Sequence, residues 1–121
     1  MNIRQAIDKA DGLKPNQFTE DEKLRWLNDL DAQIHEEIIE THDGWDGSKF
    51  APHESMEDEL IAPFPYEELY VSYLKMKYDE ENGDVARYNN SMSTFDAHYQ
   101  NYAKSYNKKH MPIGRIHHRI Y

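Results

Sequence analysis

Between residues 85 and 106, apolar and aromatic side chains return at alternating steps of three and four. Val85, Tyr88, Met92, Phe95, Tyr99, Tyr102 and Tyr106 make up the series. A mean step of 3.5 residues marks one face of a long helix. Four of the seven are tyrosine, whose ring buries a large apolar area while its hydroxyl needs a partner or water. Such a stripe suits a subunit interface, which is both packed and wet. An ordinary core stripe in a helical hairpin explains the same spacing. The opposite face (Asn89, Asn90, Ser91, Ser93, Thr94, Gln100, Asn101) is rich in mediocre helix formers, so this helix depends on what it packs against.

Further elements follow from the same kind of pattern. Residues 2–11 place Ile3, Ile7 and Ala10 on one helical face, with Gly12 as the expected C-cap. Leu13 to Asn16 reads as a turn. Thr19 with Glu22 predicts a capping box, with Phe18 as a staple residue ahead of it. Leu24, Leu27, Leu30 (or Asp31), Ile34 and Ile38 then form a stripe in a helix expected to end near Thr41. Residues 42–59 are a long polar stretch with Gly44, Gly47 and Pro52, too irregular for a helix or a clear hairpin. Pro65 can open a helix over residues 66–81, with Leu69, Tyr70, Tyr73, Leu74 and Tyr78 inward. Asn82-Gly83 closes that helix and Asp84 caps the next, which implies an antiparallel pair. The expected fold is all-α: a small bundle of about four helices with a long central helical hairpin, a long polar loop and an extended basic C-terminal tail. Residues 1–107 form the helical domain and 108–121 the tail.

Charge sharpens this division. The chain of 121 residues has a net charge of −9. Its last eighteen residues carry Lys104, Lys108, Lys109, Arg115 and Arg119 and no acid, which leaves nine bases against all 23 acids, −14, in residues 1–103. An acidic body with a basic tail suits charge-complementary docking. It does not suit general nucleic-acid binding, which needs a basic footprint. Ile113, Ile116, Ile120 and Tyr121 make the tail apolar as well as basic, so it is expected to dock. With no cysteine, disulfides and thiol catalysis are excluded. No apolar run reaches the roughly 20 residues of a membrane span, and the first residues lack the apolar stretch of a signal peptide. The expectation is a soluble protein made in the cytoplasm.

Candidate chemistry is sparse. His42, Asp43 and Asp46, with His53 and Glu54 downstream, are residue types that hold divalent ions. They match neither HExxH nor the spacing of an EF-hand loop. Carboxylates occur in runs such as Glu57-Asp58-Glu59 and Asp79-Glu80-Glu81, which read as solvated faces or caps. There is no GxSxG and no glycine-rich phosphate loop. The expectation is no enzyme, no cofactor and no metal.

Several stretches carry a family resemblance. They are Ile3-Arg4-Gln5-Ala6-Ile7-Asp8 through Leu13-Lys14-Pro15-Asn16, Ala62 to Tyr70, Asn82 to Phe95, and Tyr106 to Pro112. Together they resemble small proteins of the head-morphogenesis region in tailed phages and prophages of Gram-positive bacteria, of the head–tail connector, or adaptor, class. That resemblance covers nearly the whole chain and carries no catalytic residue. It implies a structural virion protein of the neck, made in the host cytoplasm. Such a protein rings the portal, typically in twelve copies, extends the DNA channel and presents a platform to the next neck or tail-completion protein. In that setting Tyr88, Met92, Phe95, Tyr99, Tyr102 and Tyr106 pack within the subunit or against a neighbour. Lys108, Lys109, Ile113, Arg115, Ile116, Arg119 and Ile120 dock on the portal, and the acidic body lines a channel that DNA passes without sticking. The alternative is a small phage regulatory or host-interaction protein acting as monomer or dimer.

Overall fold

The structure, a computed structural model, describes residues 1–113. Four α-helices account for most of it: α1 (Ile3–Leu13), α2 (Glu20–Ile34), α3 (Glu68–Glu81) and α4 (Val85–Lys109). A π-helical turn, His35–Ile39, continues α2. Among the described residues there is no strand, only the isolated bridges Asn2–Glu59 and His42–Pro112. The chain is a small all-α bundle.

Local sequence sets the helix starts. Asn2 and Gln5 form a capping box on α1. Thr19 Oγ1 accepts from the Glu22 amide at 3.1 Å, and Glu22 Oε1 accepts from the Thr19 amide at 3.2 Å. These bonds satisfy amides that the first helical turn leaves without a partner. Glu20, Asp21 and Glu22 add negative charge at the positive end of α2. Gly12 does not end α1: the helix runs on through Leu13, and Lys14 is the cap. Its amide still reaches the Ala10 carbonyl at 2.8 Å, so no left-handed residue is needed there. Phe18 packs edge-on against Trp26 and stacks on Tyr78, joining α2 to α3 rather than stapling its own first turn.

The core centres on α3, which touches the three other helices. Leu69, Tyr70, Leu74 and Tyr78 are fully buried as expected, and Val71, Met76, Ser72 and Asp79 are buried too. A helix covered on most sides shows no sharp stripe, so spacing alone undercounts its core. Its start lies at Glu68, two residues later than expected, because Pro63 to Glu67 forms a turn in which the Tyr66 amide bonds the Pro63 carbonyl. Ile3, Ala6, Ile7 and Ala10 pack from α1, and Trp26, Leu27, Leu30 and Ile34 from α2.

α3 and α4 form the expected antiparallel hairpin. Tyr66 pairs with Tyr102, Tyr73 with Phe95, and Asp79 with Ser91, so one index falls as the other rises. Gly83 makes the turn at φ +73°, a conformation that costs other residues strain.

Two polar nodes, one half-buried and one fully buried, fix the layers. Asp11 on α1 accepts from Lys23 Nζ at 2.9 Å and from the Tyr78 hydroxyl at 2.8 Å. Asp31 on α2 has no exposed surface. Its Oδ1 accepts from the Tyr70 hydroxyl at 2.5 Å, and its Oδ2 from His53 Nε2 at 2.7 Å and the Ile61 amide at 3.1 Å. Tyr70 in turn accepts from the Ala62 amide at 2.7 Å. Burial raises the Asp31 carboxyl above the ordinary range, while the hydrogen bonds from Tyr70, His53 and Ile61 oppose that shift.

Residues 40–67 contain no helix, yet they are tied down. Asn28 and His53 exchange two hydrogen bonds, at 3.1 and 2.7 Å. The Ile3 and Arg4 amides donate to the Asp58 and Met56 carbonyls. The loop therefore completes the first turn of α1 while it wraps α2.

Asp31→Ala should lower stability by about 3 kcal/mol, because three donors lose their acceptor in a dry site. Urea unfolding checks this, and limited proteolysis should show faster cleavage within residues 50–62.

Candidate assembly surface

α4 spans 25 residues, about 37 Å at 1.5 Å per residue. Only Tyr99 and Tyr102 of its stripe are buried. From Phe95 onward the stripe packs within the subunit. Phe95 lies 5.1 Å from the Tyr73 ring and 5.8 Å from Tyr99. The Tyr99 hydroxyl donates to Glu37 Oε1 at 2.7 Å, which ties α4 to the end of α2. Tyr102 packs on Tyr66, and Tyr106 stands between His42 and His110. Burial pushes the Tyr99 and Tyr102 phenols well above their ordinary range, so both stay neutral.

The first half of the stripe is different. Val85 is 71% exposed and Met92 47% exposed, and Tyr88 is half-covered. α3 is the main neighbour of α4 over these turns, whereas the later turns also meet Glu37, His42 and Tyr66. Along the outer face Asn89, Asn90, Ser93, Thr94, Gln100 and Asn101 are exposed, and Asp96 is the acid among them. In a chain with 31% charged residues, this face is poor in charge, as interface cores are.

The base of α4 leads into the tail. Lys108 and Lys109, expected to begin the tail, form the last turn of α4, where positive charge suits the helix dipole. The chain then folds back on residues 41–43. The Asp43 amide donates to the Met111 carbonyl at 2.8 Å, and the Met111 amide donates to Asp43 Oδ1 at 3.0 Å. The Ile113 amide donates to the Thr41 carbonyl at 2.8 Å. Buried His42 sits under this return, with Nε2 2.6 Å from Asn107 Oδ1 and Nδ1 2.6 Å from the Ile38 carbonyl. Ile113 is 46% exposed. Arg115, Ile116, Arg119 and Ile120 lie outside the described residues.

The histidine–carboxylate set suggested for a metal is dispersed. His42 serves α4, His53 serves Asp31, Asp43 serves Met111, and Asp46 accepts from the Ser48 amide at 2.9 Å. Among the described residues no three His, Cys, Asp or Glu side chains are placed to hold a metal ion. No helix of the described residues is long and apolar enough to cross a membrane.

Sequence reasoning missed the Asp31 network and the exposure of Phe64, which is 81%. An acid inside an apolar stripe was the available signal for the first. Phe64, flanked by two prolines, gave none.

No family model matches the chain, and neither does any curated protein or solved structure.

Tyr102→Ala should destabilise the fold by about 3 kcal/mol, as truncation of a packed aromatic does. Val85→Ser should change monomer stability by less than about 0.5 kcal/mol, as exposed substitutions do. Urea midpoints of the two variants compare the halves of the stripe directly.

Proposed function

We propose that this chain is a non-enzymatic head–tail connector of a tailed phage. It sits as a ring on the portal, extends the DNA channel and links the capsid to the next neck or tail-completion protein. The observation that carries the reading is the resemblance over nearly the whole chain, from Ile3 through Pro112. Three features of the fold support it. The outer face of α4 between residues 89 and 101 is poor in charge, and the first half of its aromatic stripe leaves Val85 and Met92 uncovered. The polar side chains singled out for metal chemistry are spent on holding the loop and the base of α4. Ile113, the last described residue, is held beside Thr41, a fixed base for the basic segment that in this reading reaches a neighbouring protein.

In this reading residues 114–121, with Arg115, Ile116, Arg119 and Ile120, dock on the portal, helped by Lys108, Lys109 and Ile113 at the exit. Basic and apolar side chains together give both steering and buried area. The acidic body faces the channel, where like charge keeps DNA from adhering.

Removing residues 114–121 leaves the Ile113 anchor and the four helices in place. The truncated chain should keep its far-ultraviolet circular dichroism and lose at least tenfold in affinity for the portal protein of the same phage, read by calorimetry. Unchanged affinity would assign portal docking to another surface.

A further inference from the structure

Most of α3 is covered by the other helices, but part of its surface stays open beside α4. There lies a hollow of about 120 Å³, lined by Ser72 and Lys75 of α3 and by Asn90, Ser91 and Thr94 of α4. Ser72 and Lys75 are three positions apart, so they share one face of α3. Every lining side chain is polar, unlike the aromatic seam of Tyr73, Phe95 and Tyr99 elsewhere in the hairpin.

Two of these side chains lack the partner that their surroundings call for. The chain has 23 acids against 14 Lys and Arg. The other half-buried or buried basic side chains each meet a carboxylate: Arg4 meets Glu20, Lys14 meets Asp79, Lys23 meets Asp11 and Lys77 meets Glu80. Half-buried Lys75 meets none among the described residues. Ser72 is 7% exposed, and among the described residues its hydroxyl makes no hydrogen bond. No side-chain polar atom of the described residues is left both enclosed and without a partner, so the Ser72 hydroxyl opens onto the hollow it lines. A cation and a hydroxyl that have lost part of their water are stabilised by an acceptor placed between them.

The local charge is positive. The Ser91 hydroxyl donates to Asp79 Oδ2 at 2.6 Å, which makes Asp79 the carboxylate that reaches the lining. Burial raises the Asp79 carboxyl, but hydrogen bonds from Lys14 and Ser91 outweigh it and hold the group below the ordinary range, so it is ionised. Lys14 Nζ, 2.7 Å away, cancels that charge. The flanking pairs, Lys9 with Glu68 one turn earlier on α3 and Arg87 with Asp84 at the start of α4, each sum to zero. Lys75 therefore remains as an uncompensated cation in an acidic body.

We propose that this hollow binds one tetrahedral oxyanion of the phosphate type, with Lys75 Nζ and the Ser72 hydroxyl donating from α3 and the Asn90 amide and Thr94 hydroxyl donating from α4. The Ser91 hydrogen is already committed to Asp79. The Thr94 hydroxyl bonds the Asn90 carbonyl of its own helix at 3.2 Å and is free to rotate toward an anion. Donors on two facing walls suit four tetrahedral oxygens better than the two of a planar carboxylate. A cavity of roughly 150 Å³ accepts a benzene ring, so this hollow has room for one phosphate group.

Amide nitrogen-15 spectra of the full chain, titrated with sodium phosphate at constant ionic strength, test the site. The expected result is a saturable shift confined to residues 71–76 and 89–95, in the millimolar range. Lys75→Gln should weaken binding by about tenfold, as loss of a hydrogen bond to a charged group does, and Ser72→Ala should weaken it by a smaller factor. Lys104→Gln, at an exposed lysine that also lacks a carboxylate partner among the described residues, should change nothing. Both site variants should keep the circular dichroism of the parent. Shifts that rise without saturating, or that centre on Lys104, Lys108 and Lys109, would overturn the site and leave the hollow to water. Parental affinity in Lys75→Gln would overturn it too. Methyl phosphate separates the sources: equal affinity assigns the hollow to a phosphate ester, and much weaker affinity assigns it to the free ion.

Discussion

Asp31 is the point on which the layers of this small protein converge. A carboxylate without exposed surface, in an apolar stripe, is stable only where donors replace the water it has lost. Here the donors come from three places: the Tyr70 hydroxyl on the central helix, His53 in the long loop, and the Ile61 amide ahead of α3. One side chain thus fixes the loop, the entry to α3 and the facing of α2 against α3. In the loop of residues 40–67, Leu60 and Ala62 enter the core, whereas residues 42–55 contain no buried hydrophobic residue to hold them in place. The Asp31 network and the Asn28–His53 pair supply that hold through hydrogen bonds. Replacing the donors by apolar groups would save desolvation but would lose the specific register.

What the loop positions bears on the reading as an assembly protein. It carries Pro63 and Phe64 to the start of α3, and through residues 41–43 it grips the end of α4. The base of the hairpin, the exposed aromatic ring and residues 111–113 are therefore built on one fixed support. A connector needs rigid presentation of this kind, because each interface in a ring is small and gains most from surfaces ordered before they meet. The uncovered half of the α4 stripe fits the same scheme: it adds little to the monomer and is available to a neighbour.

Local signals in the sequence read well. The Asn82-Gly83-Asp84 turn, the Thr19–Glu22 box and the antiparallel hairpin depend on residues a few positions apart, and each is present. Signals that depend on distant partners read poorly. Nothing near His53 reveals that it bonds Asn28 and Asp31, 25 and 22 positions away. Gly12 looked like a helix end, but α1 runs through Leu13 and the Lys14 amide caps it, two residues further on. The tyrosine stripe showed which face of α4 turns inward and not how much is covered there. That coverage depends on Glu37, His42 and Tyr66, which reach only the second half. The core helix, α3, was less conspicuous than its cover, because burial on most sides blurs periodicity.

The central claim is that this bundle assembles on a portal. Light scattering of the chain alone, then mixed with the portal protein of the same phage, tests it most directly. The account predicts a small species alone and, after mixing, one complex whose added mass corresponds to many copies per portal ring. A chain that keeps its own mass in the presence of portal would contradict it, and would favour a regulatory protein acting as monomer or dimer.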